Sequence, residues 1–125
     1  MKMTTTSQSS QEQRRLERQI AKIKRQIAQL DGLRPGTLSE QYNVCGTPGC
    51  RCKASPPQKH GPYYQLSLTR RRKSKTRFVR RDELPTIRKE LDNYATLRAL
   101  VDRWVDLAIE LSDLNLARRR IDDDS

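Results

Sequence analysis

The chain has 125 residues, 34% of them apolar and 33% charged, which allows one small domain and excludes a large hydrophobic core. Its formal net charge of +11 points to a polyanionic partner rather than a basic one. The charge is uneven: residues 1–81 carry 19 Lys or Arg against 4 Asp or Glu, whereas residues 82–125 carry 7 against 11. A basic end for polyanions and a mildly acidic structural or docking end follow from this asymmetry.

Residues 1–10 are polar and expected to be disordered, without the apolar stretch of an export signal. From Gln11 to Asp31, Leu16, Ile20, Ile23, Ile27 and Leu30 recur at steps of four and three, predicting a helix with a heptad seam. Asp31-Gly32 and Pro35-Gly36 end it. Residues 32–81 then form a head. Its first part, to residue 61, is broken by glycine and proline and reads as loops and turns. Residues 62–69 alternate as a strand, with Tyr64, Leu66 and Leu68 on one face and Tyr63, Gln65 and Ser67 on the other. Residues 76–80 read as the return strand, across a loop of about four to six residues. Asp82 reads as the N-cap of a long helix extending to residue 118, with residues 119–125 a frayed tail.

In that helix Ile87, Leu91, Tyr94, Leu97, Val101, Trp104, Ala108 and Leu111 follow three/four spacing. The expected fold is α+β and mostly α: two long antiparallel helices, a coiled-coil-like stalk, flanking a small β-hairpin head. The second helix is the longer. Val101, Trp104, Val105 and Leu111 are therefore expected to meet a second copy of the chain or another partner helix, unless the first helix docks further along.

All three cysteines and the only histidine fall within Cys45-Gly-Thr-Pro-Gly-Cys50-Arg-Cys52 and His60. Three cysteines cannot all pair within one chain, and no run approaches a membrane span, so a cytoplasmic protein with reduced thiols and no membrane partner is expected. Three thiolates and one imidazole make a closed tetrahedral set, predicting structural Zn2+ on Cys45, Cys50, Cys52 and His60 and hence a zinc-stapled β-hairpin head. The spacing departs from the usual two residues between paired cysteines, and three buried thiols with a hydrogen-bonded histidine is the alternative. A four-cysteine iron–sulfur site lacks its fourth ligand.

Arg70, Arg71, Arg72, Lys73, Lys75, Arg77, Arg80 and Arg81 put eight cations into twelve residues. On a hairpin they form a basic ribbon suited to a phosphate backbone or a DNA groove, with Tyr63 available to stack on unpaired bases. A solvated basic loop is the bland alternative. The blocks Cys45-Gly-Thr-Pro-Gly-Cys50-Arg-Cys52 and His60-Gly-Pro-Tyr-Tyr64, followed by a basic hairpin and a long helix, resemble a family of small uncharacterised prokaryotic proteins found near transposase and other mobile-element genes. That resemblance implies a context and no mechanism. No nucleophile–base–orienter set, phosphate-cradling glycine loop or zinc-deaminase pattern is recognisable, so no catalysis and no small-molecule substrate are expected. The expected function is zinc-dependent nucleic-acid binding without catalysis; the alternative is a coiled-coil adaptor whose charge is incidental.

Overall fold

The computed structural model of the protein describes residues 6–43, 48–51 and 60–124. In chain order it has helix α1 (Thr6–Ala28), strands β1 (Thr37–Asn43), β2 (His60–Arg70) and β3 (Lys73–Val79), a 3-10 turn (Arg81–Glu83), and helix α2 (Leu84–Asp124). The protein is mixed α+β, with 62% of the described residues helical and one three-stranded antiparallel sheet. The chain divides into two compact units, Met1–Asp31 with Ala95–Ser125, and Gly32–Tyr94.

In the first unit, α1 buries the seam its periodicity predicts. Leu16, Ile20 and Ile23 form a cluster with Leu107, and Ile27, Leu100, Trp104, Leu111 and Leu114 pack against it. Each such aliphatic side chain removed from water contributes on the order of 1.5–3 kcal/mol. The helices run antiparallel: Arg118 donates a hydrogen bond to Gln13, and Lys24 Nζ lies 5.1 Å from the Trp104 ring centroid. Trp104 and Leu111 are thus covered by α1, which docks further along α2 than a surplus of unpaired helix requires. Val101 and Val105 do remain exposed. The helix bounds differ from those expected, and α1 stops at Ala28, short of Leu30. α1 already begins at Thr6, and α2 passes through the expected tail to Asp124. Neither glycine nor proline follows Pro85, and the Gln13–Arg118 bond ties the two ends together.

The second unit is a sheet of order β1-β2-β3 covered on one face by the first turns of α2. Its core is Leu66, Val79, Leu84 and Ile87, with Leu38, Tyr64 and Leu91 packed around it. The predicted alternation along β2 holds, since Leu66 is buried while Tyr63 is exposed. β1 is a strand where loops were expected. Gly36, at φ +139°, makes it possible: a Cβ there would lie 3.0 Å from the Ser67 carbonyl oxygen. From that approach Thr37 pairs with Ser67 and the ladder continues to Gln41 opposite Tyr63.

The hairpin turn is also tighter than expected. β2 and β3 pair as far as Arg70 with Lys73, leaving a two-residue loop, Arg71 and Arg72, at φ 52° and 64°. Two left-handed residues match the right-handed twist of the flanking strands, as in a type I′ turn. The conformation costs roughly 1–2 kcal/mol for each residue that carries a Cβ.

Asp82 is not the N-cap of α2. It lies inside the 3-10 turn before α2, which the Glu83 carboxylate braces by accepting the Arg80 backbone N–H at 2.9 Å, while the Glu83 N–H donates to the Arg80 carbonyl at 2.9 Å. A glutamate reaches back across the 3-10 turn; the shorter Asp82 stays exposed.

Candidate functional site

The start of β2 carries the first candidate centre. Cys50 Sγ lies 3.1 Å from His60 Nε2. His60 pairs with Asn43, the last residue of β1, across a register shift between Gln41 and Asn43. The next residue, Gly61, has φ +137°, and a Cβ on it would stand 2.7 Å from the Gln41 carbonyl oxygen, so only glycine fits after the histidine. Cys45 and Cys52 lie outside the described residues, and among the described residues no group of three or more His, Cys, Asp or Glu comes together. Zinc–nitrogen and zinc–sulfur bonds of ordinary length place the two ligand atoms about 3.6 Å apart in a tetrahedral site. Opening the Cys50–His60 pair by about half an ångström would meet that geometry.

The second candidate site is the hairpin. Register puts Arg70, Lys73, Lys75 and Arg77 on the face that carries Leu66 and Leu68. Gln65, Ser67, Thr69, Ser74, Thr76 and Phe78 share the opposite face, which has no charge. There the Thr69 and Ser74 hydroxyls are 2.8 Å apart, and Gln41 donates to Gln65 at 2.7 Å. Every strand cation therefore points the same way. A run that reads in sequence as a basic loop is a period-two pattern with the charge on alternate residues.

The basic face is concave. A groove of about 350 Å3 is lined by Arg34, Pro35, Leu66, Leu68, Lys75, Thr76 and Arg77. Arg34 is a member that sequence reasoning missed. It is remote from the basic run, and it reaches the groove because its backbone N–H is anchored to the Glu90 carbonyl at 3.2 Å. Nothing local in sequence marks it. A second hollow lies nearer the tip between Leu68, Arg70, Arg71, Lys73 and Lys75. Arg77 donates to Glu83 at 3.2 Å, so its charge is partly matched. The Arg80 backbone N–H, followed by the charges of Arg77 and Arg80, holds the Glu83 carboxyl below its usual range against the partial desolvation that pushes it up. Arg71, Arg72, Arg80 and Arg81 are exposed at the two ends of the ribbon.

The aromatic residues divide. Tyr64 packs on the core of its unit, with the Arg88 guanidinium carbon 6.0 Å from its ring centroid. Tyr63 is 43% exposed and Phe78 67%, so these two rings of the hairpin are exposed to solvent. Phe78 was not anticipated as a surface residue: in a strand ending Phe78-Val79, Val79 takes the core position.

A helix, a three-stranded antiparallel sheet with a Cys–His pair where its central strand begins, and a long closing helix define a small α+β protein. The chain belongs to the family described as a domain of unknown function, DUF6788, whose model matches residues 13–89. The match takes in the Cys/His segment, the whole sheet and the basic hairpin. No curated protein and no solved structure matches the chain. Among the described residues no helix is long and apolar enough to cross a membrane.

Proposed function

We propose that this protein is a zinc-stapled, non-enzymatic nucleic-acid-binding accessory protein of the cytoplasm, serving mobile genetic elements. The observation that carries the reading is the one-sided charge of the hairpin. Arg70, Lys73, Lys75 and Arg77 share one face, and Arg34 joins the same groove. Scattered charge that serves only solubility has no need of such segregation, whereas a phosphate backbone binds cations presented on one side.

Zinc, held by Cys45, Cys50, Cys52 and His60, would fix the end of the sheet where β2 begins, opposite the hairpin turn. The 3.1 Å approach of Cys50 to His60 supports this, as does the pairing of His60 with Asn43, two residues before Cys45. A thiol and an imidazole at this distance also suit a nucleophile–base pair. Two more cysteines close by in sequence favour the metal. The test of the main reading is binding to DNA and RNA titrated with salt. Six to eight phosphate contacts give a log–log slope on the order of −5 to −7. Binding that ignores salt, or persists when Lys73, Lys75 and Arg77 are changed to Ala, removes the reading.

One observation favours a second reading, the helical adaptor or self-associating protein. Val101, Val105, Ile109 and Leu116 are exposed on α2. These positions form a stripe at helical spacing, distinct from the seam that meets α1. Sedimentation of the intact protein separates the two. An adaptor keeps its partner after Arg70, Arg71 and Arg72 are changed to Ala, and loses it when Val105 and Ile109 become Glu.

A further inference from the structure

The hairpin extends past the third strand. β1 begins at Thr37 opposite Ser67, so Leu68 with Lys75, Thr69 with Ser74 and Arg70 with Lys73 are paired only to each other. Three residue pairs at about 3.3 Å per residue make a two-stranded arm about 10 Å long, before the turn is added. Its end is built against its own local preferences. Arg71 and Arg72 both hold positive φ, where Asn-Gly is the favoured pair. Arg70 stands directly opposite Lys73, a like-charge cross-strand pair. All four of these cations are exposed. Among the described residues the arm's side-chain hydrogen bond, between the Thr69 and Ser74 hydroxyls, involves none of these four cations.

Local conflict of this kind marks a place where something outside the chain supplies the compensation. We infer that the Arg71-Arg72 turn is a recognition tip that enters the major groove of duplex DNA. This rests on the nucleic-acid reading above and names its ligand. The major groove is about 12 Å wide and 8.5 Å deep and admits a two-stranded β-ribbon, so an arm of about 10 Å reaches its floor. Arg71 and Arg72 then meet base edges, where arginine pairs with the O6 and N7 acceptors of guanine. Arg70, Lys73 and Lys75, further up the arm, are left for the flanking phosphates. The major groove of an RNA duplex is too narrow for this, and a single strand offers no groove.

The experiment compares the wild-type protein with the double variant Arg71→Asn/Arg72→Gly and with Lys73→Ala/Lys75→Ala. Each is assayed for thermal unfolding and for binding to a G·C-rich DNA duplex, to the same duplex with guanines lacking N7, to its single strand and to an RNA duplex. The Asn-Gly variant relieves the turn, so its Tm rises by about 4–8 °C while its affinity for the DNA duplex falls at least about tenfold. The wild type prefers the DNA duplex and discriminates against the duplex lacking N7; the variant does not discriminate. A variant that is stabilised but binds and discriminates as the wild type does overturns the tip, while Lys73→Ala/Lys75→Ala losing affinity leaves the broader reading standing. Equal wild-type affinity for single strand or RNA duplex also overturns the tip and spares the broader reading. A wild type that binds no nucleic acid removes both. Loss of Tm in the Asn-Gly variant contradicts the inference at its first step.

Discussion

The helix pair and the sheet unit are stabilised by different means. In the helix pair, Leu16, Ile20 and Ile23 meet Leu107 across a long gap in sequence, and five further apolar side chains lie against them. Its interior is a continuous seam of aliphatic packing. Among its described residues the sheet unit also buries four apolar side chains, with Leu38, Tyr64 and Leu91 at their margin. On its surface it carries the basic groove and the tip, and where β2 begins the Cys50–His60 pair. One unit resembles a self-sufficient helical hairpin; the other is a small platform with more surface than core, of the kind that needs a staple. Both candidate sites fall on the part with fewer apolar side chains packed around its buried residues.

The largest effect that sharpens this contrast is loss of the proposed zinc. Structural zinc in small domains contributes an apparent 10–16 kcal/mol, about the whole folding free energy of such a unit. A strong chelator, or Cys50→Ser with His60→Ala, is expected to abolish the sheet's amide protection between residues 37 and 79 and leave the helix pair folded. The single tryptophan reports the second half of this, because Trp104 lies in the helical seam. Fluorescence that keeps its wild-type maximum while sheet protection vanishes agrees with two differently held units. An unchanged sheet in metal-free protein breaks the comparison and leaves Cys50 and His60 as an ordinary hydrogen-bonded pair.

Next in size are the two cores. Leu16 is 1% exposed and Leu66 4%, and truncating either to Ala is expected to cost about 2–5 kcal/mol. The contrast lies in where the loss appears. Leu16→Ala is expected to lower the Trp104 transition in chemical denaturation and spare the sheet's amide protection; Leu66→Ala should do the reverse. A single shared transition, displaced equally by both substitutions, would show that the long α2 couples the units into one cooperative body.

These differences also explain what could be read from sequence. The helical seam was legible because it is periodic over many residues, and Leu16, Ile20, Ile23 and Ile27 all fall where the spacing puts them. The core face of β2 was legible for the same reason at period two. β1 was not. Gly36 marks a turn in sequence, and its role in letting a strand approach Ser67 exists only once β2 is in place. The hairpin turn was misjudged because residues 70–75 resemble a solvated basic loop. Two arginines at positive φ contradict the residue preferences by which a two-residue turn is recognised. Arg34 was missed since its place beside Lys75 and Arg77 depends on tertiary packing. Trp104 and Leu111 were expected on a free surface because the offset between two helices is not encoded in the periodicity of either. The Cys/His quartet was singled out by its rarity, and of it the described residues bring together Cys50 and His60.

The smallest expected effect concerns the joint between the basic ribbon and α2. Glu83 accepts from the Arg80 backbone and from Arg77, and its carboxyl sits below the ordinary value of 4.5. A carboxyl with a depressed folded pKa favours the native state fully above its unfolded value. That contribution is lost as the pH falls through the lower, folded one. The sheet unit is therefore expected to lose a small increment of stability as acid is added below about pH 4.5, and Glu83→Gln should flatten this part of the pH profile. At neutral pH the same substitution removes a negative charge and releases Arg77 toward the groove. Binding to the DNA duplex should tighten, with a log–log salt slope steeper by up to about 0.9, one more phosphate contact. Weaker binding from Glu83→Gln would assign the residue the opposite task, holding Arg77 in the orientation the ligand needs.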